Sequence, residues 1–279
     1  MTTGPPAPRR AAVLGAPIRH SLSPVLHRAA YAELGLTHWT YDAYEIDEAA
    51  LADFVGGLDA SWAGLSLTMP LKRAIRPLLD EIAAVARDVD AVNTVVFTAD
   101  GRRVGDNTDV PGLVAALRER GVTRVESAAV LGAGATATSA LAALRDVTDG
   151  PVRVYVRGED RAREMRVAGE RLGVVVDARP WTEAAEALRA PLVVATTPKG
   201  AVDHLAIDLP AEPGVLFDVV YDPWPTALAN AWDRAGGAVV GGLDLLVHQA
   251  VLQVALMTGR PGPLAAMRAA GEAALAGRP

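Results

Sequence analysis

The sequence contains no cysteine, which excludes disulfide bridges, thiolate metal sites and cysteine nucleophiles. It also has little positive charge, since 27 basic residues face 33 acidic ones and the net charge is -6. A chain with this balance lacks the basic surface of a nucleic-acid-binding protein. We therefore expect no nucleic-acid partner, and the absence of cysteine agrees with a reducing cytoplasm.

Long hydrophobic runs are missing as well. The longest uncharged stretch, Ser127 to Leu144, is rich in Gly, Ser, Thr and Ala, a composition typical of strand, turn and helix rather than a membrane span. The first apolar stretch is interrupted by Gly15 and Pro17, unlike a signal peptide. We expect no membrane association, a cytoplasmic location, and a disordered tail over residues 1–10.

Short apolar runs alternate with helical patterns throughout, which predicts βαβ units and parallel sheets. A length of 279 residues suits two domains. In the first hundred residues a helix is expected with Ser23 as its N-cap, Pro24 at its first helical position and Gly35 as its stop. The strands expected there are Ala11–Leu14, Trp39–Ile46, Gly64–Thr68 and Thr94–Phe97.

A second series of elements begins with a helix from Asp109 to Arg120, and a last helix, Leu243 to Met257, is expected to pack back on the first domain. The predicted fold is α/β, with two α/β domains flanking a cleft, one formed by residues 1–105 with 243–279 and the other by 106–242. The strands expected in the second domain are Ala128–Leu131, Val152–Val156, Val174–Val176, Leu192–Ala195, Val215–Val220 and Ala238–Val240.

The segment Val130 to Ala137 reads strand, G-x-G-x-x-A, helix. In such a turn the first Gly allows the tight bend, the second admits a pyrophosphate, and the small third residue lets strand and helix pack closely. This pattern predicts a Rossmann-type dinucleotide-binding domain, although a purely structural turn stays open. The expected cofactor-binding residues here are Gly132, Ala133, Gly134, Ala135, Thr136 and Ala137.

Arg157 follows the next predicted strand, where an NAD enzyme usually has Asp or Glu. An arginine can form two charge-assisted hydrogen bonds to the 2′-phosphate of NADP. The alternative is a solvated arginine, and Glu159 and Asp160 lie close in sequence. The position favours NADP as the cofactor.

Two charged residues stand in unusual surroundings. Lys72 follows the apolar stretch Gly64 to Leu71, and Asp109 follows Gly105 to Thr108. Oxidation of an alcohol needs a group that takes the hydroxyl proton, and a desolvated lysine paired with a carboxylate can serve. The alternatives are a lysine at the start of a surface helix and an aspartate that caps a helix.

Seven segments, in their order and at their spacings, resemble the shikimate dehydrogenase family over nearly the whole chain. They are Gly15-Ala16-Pro17-Ile18 with Ser21-Leu22-Ser23-Pro24, Gly64 to Lys72, Ala91-Val92-Asn93-Thr94, Asn107-Thr108-Asp109, the glycine turn, Asp218 to Pro223 with Thr226, and Gly242 to Ala250.

This resemblance implies an NADP-dependent oxidoreductase that interconverts 3-dehydroshikimate and shikimate in aromatic amino acid biosynthesis. It implies that the N-terminal α/β domain binds the substrate, with Lys72 as proton donor and acceptor and Asp109 as its partner and a contact to a substrate hydroxyl. The implied substrate-binding residues are Ser21 and Ser23 for the carboxylate and Thr68, Asn93, Asp109, Tyr221 and Gln249 for the rest, and Thr197 and Gly242 join the cofactor site.

The chain departs from the family at three positions. Ser66 stands where Asn is common, Ala135 replaces a Gly, and Gly158 replaces the Ser or Thr that usually follows the arginine. The change at Ser66 affects one polar contact, and the change at Gly158 removes one expected phosphate contact and so relaxes the preference for NADP. The five histidines show no metal-ligand spacing, so no metal site is expected.

Other functions stay open at this point. A quinate or dual quinate/shikimate dehydrogenase and an enzyme for an amino-substituted shikimate share the same fold. A methylenetetrahydrofolate dehydrogenase type would leave Ser21, Ser23 and Gln249 unexplained, and a silent dinucleotide sensor would not need Lys72 and Asp109. We expect a small-molecule substrate and a monomer or homodimer.

Overall fold

The computed structural model describes residues 7–278, and over that range the chain forms twelve strands and ten α-helices. The strands are β1 Arg9–Gly15, β2 Trp39–Glu45, β3 Trp62–Leu67, β4 Glu81–Ile82, β5 Thr94–Phe97, β6 Arg103–Asp106, β7 Ala128–Leu131, β8 Val152–Val156, β9 Val176–Pro180, β10 Leu192–Ala195, β11 Val215–Asp218 and β12 Ala238–Val240. The helices are α1 Ser23–Glu33, α2 Leu51–Gly56, α3 Leu71–Ala74, α4 Ala84–Asp88, α5 Asp109–Glu119, α6 Ala135–Arg145, α7 Glu159–Leu172, α8 Ala227–Arg234, α9 Gly242–Thr258 and α10 Leu264–Ala276.

These elements form two compact units. Unit 1 runs to Thr108 and resumes at Leu246, and unit 2 is Asp109–Leu245. The second boundary falls inside α9, so most of that helix belongs to unit 1. Within the range 7–278, no helix is both long and apolar enough to cross a lipid bilayer.

Unit 1 is built on a six-stranded sheet in the order β2-β1-β3-β5-β6-β4. β1 runs parallel to β2 and β3, whereas β5 runs antiparallel to β3 and β6. The prediction of parallel pairing therefore holds in this unit for β1 with β2 and β3 and for β4 with β6, and the antiparallel course of β5 was not predicted. A short turn with Gly101 at φ 83° joins β5 directly to β6, and an antiparallel pair needs no crossover helix.

The last two helices complete unit 1. α10 packs on α1, and α9 lies close to β3 because Gly64 has no side chain. A β-carbon there would lie 2.7 Å from both the Met257 Cγ and the Val95 carbonyl oxygen. The expectation that the final helix packs on the first domain agrees with this contact, while α10 was not predicted. The close approach brings polar residues of α9 to the sheet.

Unit 2 has six parallel strands in the order β12-β11-β10-β7-β8-β9. The chain moves outward from β7 to β9 and then returns to β10 on the other side of β7. Ligands of open α/β sheets bind at such a reversal, beyond the carboxyl ends of the strands. In unit 2 this position is the pair of loops after β7 and β10.

Five predicted strands have the bounds that the structure gives: Thr94–Phe97, Ala128–Leu131, Val152–Val156, Leu192–Ala195 and Ala238–Val240. The strand predicted at Val174–Val176 is misplaced, because β9 begins only at Val176. Val174 instead donates to the Gly169 carbonyl oxygen and closes α7, with Gly173 left-handed at φ 69°.

Two predictions near the amino terminus are also wrong. Arg9 and Arg10 open β1 instead of lying in a tail, and the rest of that prediction, residues 1–6, lies outside the described residues. The N-cap of α1 is Leu22, and Ser23 is the first helical residue. The Ser23 backbone N–H donates to the Ser21 hydroxyl oxygen at 3.3 Å, so Ser21 occupies the place expected of a capping side chain.

Candidate active site

Two loops of unit 1 that carry predicted substrate residues lie against each other. The Thr68 backbone N–H donates to the Leu14 carbonyl oxygen at 3.0 Å, and that of Ala16 donates to the Met69 carbonyl oxygen at 3.0 Å. A β-carbon on Gly15 would overlap the Thr68 methyl group, so the family glycine at this position is required by packing. The loop that leads to Ser21 is thereby held beside Thr68.

Ser21 and Ser23 lie at the start of α1. The N-cap residue between them is Leu22, which provides no side-chain hydrogen bond to the helix. Ser23 is only 5% exposed, and its carbonyl oxygen lies 2.9 Å from the Nδ1 of His27. Burial lowers the pKa of His27 to about 4, so the ring is neutral and carries its hydrogen on Nδ1. A helix amino terminus favours a bound carboxylate.

Asn93 and Gln249, both predicted to bind the substrate, are brought together through Thr108. The Thr108 backbone N–H donates to the Asn93 Oδ1 at 2.8 Å, and the Asn93 Nδ2 lies 3.0 Å from the Thr108 hydroxyl. That hydroxyl also lies 3.4 Å from the Gln249 Oε1. All three side chains are buried, so their orientation is set by the protein before any ligand binds.

Lys72 lies on the short helix α3 and is half-buried. Its carbonyl oxygen accepts from the Val92 backbone N–H at 2.8 Å, which ties α3 to the residue before Asn93. Asp109 is the first residue of α5 and is 6% exposed. Because Lys72 belongs to unit 1 and Asp109 opens unit 2, the pairing of these two residues stays a prediction.

The glycine turn of unit 2 has the geometry that each of its small residues predicts. Gly132 has φ 117°, and a β-carbon on it would lie 2.6 Å from the Thr196 hydroxyl of the neighbouring loop. Gly134 is the N-cap of α6, provides no capping side chain, and has open space where its β-carbon would be. Ala137 is fully buried between helix and sheet. The first turn of α6 is therefore accessible to a phosphate.

Two further predicted cofactor residues, Thr197 and Arg157, follow the carboxyl ends of β10 and β8. Thr197, after β10, is buried, and its hydroxyl oxygen finds no hydrogen-bond partner among the described residues. Arg157 is exposed after β8 and forms no ion pair with residues of the described range, unlike its neighbours Arg153, Arg161, Arg163 and Arg166. Ala133, Ala135 and Thr136 lie in the turn and are partly exposed. These features fit a phosphorylated dinucleotide.

Gly242, which is also predicted to contact the cofactor, lies next to the loop that carries Tyr221. Gly242 opens α9, its backbone N–H donates to the Val220 carbonyl oxygen at 3.2 Å, and a β-carbon on it would overlap the Val219 carbonyl. The Tyr221 ring is half-buried. The buried carboxylate of Asp218 anchors this loop, since it accepts from the Val220 backbone N–H at 3.1 Å and the Thr226 hydroxyl at 2.7 Å.

Four residues that organise the unit 1 site were not predicted as site residues: Tyr41, Thr94, Thr108 and Gln253. A signal existed for Gln253, which lies four residues after Gln249 and so shares a face of α9. Ser66, where the family commonly has Asn, keeps two polar contacts, to the Tyr41 hydroxyl at 2.6 Å and to the Gln253 Oε1 at 2.8 Å.

The fold and the glycine turn define a two-unit α/β protein whose second unit is of the Rossmann dinucleotide-binding type. Residues 13–95 match the family model described as shikimate dehydrogenase substrate binding domain, and residues 242–270 match the one described as shikimate 5′-dehydrogenase C-terminal domain. The chain belongs to the shikimate dehydrogenase family, as its relatives establish.

The chain is 37% identical over 266 residues to the shikimate dehydrogenase (NADP(+)) of Oleidesulfovibrio alaskensis, a match that covers 92% of each chain. The crystal structure of Mycobacterium tuberculosis shikimate dehydrogenase is similar with a TM-score of 0.87 and 41% identity, covering 96% of this chain and all of that one. A Thermus thermophilus enzyme in complex with NADP(H) and shikimate is similar with a TM-score of 0.83 and 34% identity, covering 96% and 100%.

Proposed function

We propose that this chain is an NADP-dependent enzyme that reversibly oxidises shikimate to 3-dehydroshikimate. The observation that carries the proposal is the similarity of nearly the whole chain to shikimate dehydrogenases named for NADP(+). Within residues 7–278 the Thr197 hydroxyl finds no hydrogen-bond partner and Arg157 forms no ion pair, and both observations support a phosphorylated dinucleotide in unit 2.

In this proposal unit 2 holds NADP mainly through backbone groups. The turn from Gly132 to Ala137 binds the pyrophosphate at the start of α6, and Arg157 binds the 2′-phosphate. Thr197 and Gly242 complete the contacts. Bound NADP would supply the hydride acceptor for the substrate carbon, and bound NADPH would supply the hydride donor for the reverse reaction.

Unit 1 contributes most of the contacts to shikimate. Ser21 and Ser23 bind the carboxylate at the start of α1, and Thr68, Asn93 and Gln249 bind ring hydroxyls. Tyr221 of unit 2 adds a further contact. Buried polar groups of this kind reject analogues that lack a hydroxyl, because the protein group left without a partner costs free energy.

Lys72 handles the proton of the reaction. It takes the proton from the hydroxyl that is oxidised and returns it to the carbonyl oxygen on reduction. Asp109 hydrogen-bonds to Lys72 and to a neighbouring substrate hydroxyl, so that the amine is held against the reacting oxygen. No metal ion takes part in this scheme.

The enzyme is further proposed to work in the cytoplasm as a monomer or homodimer. Light scattering coupled to size exclusion distinguishes those two states.

The test is an absorbance assay of NADPH formation by the purified protein with NADP and shikimate, run beside quinate and beside NAD. We expect rapid reduction only with shikimate and NADP. Faster turnover with quinate than with shikimate, or with NAD than with NADP, would indicate a quinate or dual quinate/shikimate dehydrogenase instead. Nucleotide binding without any turnover would indicate the silent sensor.

A further inference from the structure

A single chain of hydrogen bonds runs through the interior of unit 1. The Tyr41 hydroxyl lies 2.6 Å from the Ser66 hydroxyl, which lies 2.8 Å from the Gln253 Oε1. The Gln253 Nε2 lies 3.0 Å from the Thr94 hydroxyl, which lies 2.8 Å from the Asn93 Oδ1. All five side chains are buried, and Asn93 is a proposed substrate residue.

Two backbone groups determine the direction in which this chain donates. The Asn93 Oδ1 accepts from the Thr108 backbone N–H, so this end of the amide is the oxygen, and Thr94 must donate to it. The Asn93 carbonyl oxygen, 3.4 Å from the Gln253 side chain, can only accept, so the Gln253 amide faces it with its nitrogen. Thr94 therefore accepts from Gln253.

The rest of the chain then has one arrangement. The Gln253 oxygen accepts from Ser66, and Ser66, having used its hydrogen, accepts from Tyr41. Burial raises the pKa of Tyr41 well above its ordinary value, so the phenol keeps its proton. Every hydroxyl and amide donates towards Asn93, and hydrogen bonds aligned in this way polarise one another.

We propose that Gln253 and Tyr41 are positioning residues, which hold the Asn93 amide in one orientation, with its oxygen accepting from Thr94 and the Thr108 backbone and its nitrogen on the opposite side as the donor, so that the substrate meets a fixed amide. This inference rests on the proposed function for the identity of the substrate. Gln253 acts through Thr94, and Tyr41 acts through Ser66 and Gln253. Their effect on substrate affinity should fall with the number of links that separate them from Asn93.

The main test is Gln253→Glu. An ionised carboxylate accepts from Ser66 but cannot donate to Thr94, so the Thr94 hydroxyl turns towards it and leaves Asn93. A protonated carboxyl donates again and restores the chain. We expect the KM for shikimate to rise about tenfold at alkaline pH and to return towards wild type as pH falls, with kcat changed much less. A buried Glu titrates at raised pKa, which brings this change into the assay range.

The second test compares two buried tyrosines beside His27. Tyr41→Phe removes the first donor of the chain, and we expect a smaller rise in KM, about threefold, with kcat preserved. Tyr31→Phe is the matched control, because the Tyr31 hydroxyl is buried and has no hydrogen-bond partner in the described range. That variant should keep the wild-type KM.

The proposal is overturned if the KM ratio of Gln253→Glu to wild type is the same at acidic and alkaline pH. It is overturned equally if Tyr31→Phe raises KM as much as Tyr41→Phe, which would indicate only loosened packing. Failure of the proposed function has another signature, namely a wild-type protein that binds NADP without oxidising shikimate.

Discussion

The two units prepare their predicted binding residues by different means. In unit 1, Asn93, Thr108 and Gln249 are oriented by hydrogen bonds between buried side chains. In unit 2, Gly132 and Gly134 form the predicted cofactor site through backbone conformation and through the side chains that they lack. The difference matches the ligands proposed for the two units. A ring with several hydroxyls needs directional partners, whereas a pyrophosphate needs N–H groups and a helix amino terminus.

This contrast predicts different responses to substitution. Changes at the substrate residues of unit 1 should act on substrate affinity and on proton chemistry, and changes at the glycine turn and Arg157 of unit 2 should act on nucleotide affinity. The following five experiments compare the two units, beginning with the largest expected effect.

Lys72→Ala should lower kcat by about 100-fold to 10,000-fold, because the proton acceptor is lost. The dissociation constant of NADP should stay near wild type, since its proposed contacts lie in unit 2. The neighbouring Arg73→Ala is the control, because it removes an exposed cation that pairs with Asp90 at 3.5 Å. Near-normal turnover in Lys72→Ala would contradict the assigned role.

Acidification should destabilise unit 1 through His27. Because its folded pKa of about 4 lies below the ordinary 6.5, the neutral ring contributes stability that is complete above pH 6.5 and is lost as pH falls towards 4. The full loss is roughly 3 kcal/mol. Urea unfolding at a series of pH values measures it, and His27→Phe, which keeps a ring against Tyr41, should flatten the dependence.

The buried carboxyl of Asp218 in unit 2 should show the opposite trend. Burial raises its pKa, so its contribution to stability grows as pH falls and is lost as pH rises through the raised value. Asp218→Asn should remove this dependence without altering that of His27. If His27→Phe and Asp218→Asn changed the pH dependence of the unfolding free energy in the same way, the two groups would not be titrating independently.

Arg157→Ala should weaken NADP binding by about tenfold or more, because a charge-assisted contact to the 2′-phosphate contributes roughly 2 kcal/mol. NAD binding should hardly change. Arg163→Ala serves as the control, since that exposed arginine pairs with Asp160 at 3.5 Å. Equal losses for NADP and NAD would make Arg157 an ordinary surface charge.

The two turn glycines should separate stability from binding. Gly132→Ala places a side chain at φ 117° and close to Thr196, so it should lower the stability of the free protein by about 1–2 kcal/mol. Gly134→Ala meets open space and should leave that stability unchanged while weakening NADP binding. Thermal unfolding with and without NADP measures both, and identical behaviour would argue for a purely structural turn.

The fold of unit 2 was predictable in more detail than that of unit 1. Its buried strands are short apolar runs bounded by turns, and the predicted bounds of β7, β8, β10 and β12 agree with the structure. In unit 1, β6 and the antiparallel direction of β5 were not predicted. Hydrophobic periodicity can indicate a strand, but it does not give the direction in which the strand runs. α10 was missed, since its residues show no sharp contrast between polar and apolar faces.

Some residues of the candidate site could be predicted from the sequence and others could not. The glycine turn, Arg157, Lys72 and Asp109 could be proposed from motifs, because each acts through the chain immediately around it. Whether Lys72 meets Asp109, and whether the named side chains bind shikimate and NADP, are still predictions. The capping role expected of Ser23 is wrong, because Leu22 is the N-cap and Ser23 is the first helical residue, whose backbone N–H donates to the Ser21 hydroxyl.

The sequence by itself determined where the backbone must bend, where a helix offers its amino terminus and which family the chain resembles, since these depend on residues adjacent in the chain. Only the tertiary structure decided that Tyr41, Ser66, Thr94 and Gln253 share one directed chain of hydrogen bonds. Their spacing in sequence carries no periodic signal. A hydrogen bond needs a separation near ~3 Å and a set orientation, and only the packing of α9 onto β3 and β5 supplies both.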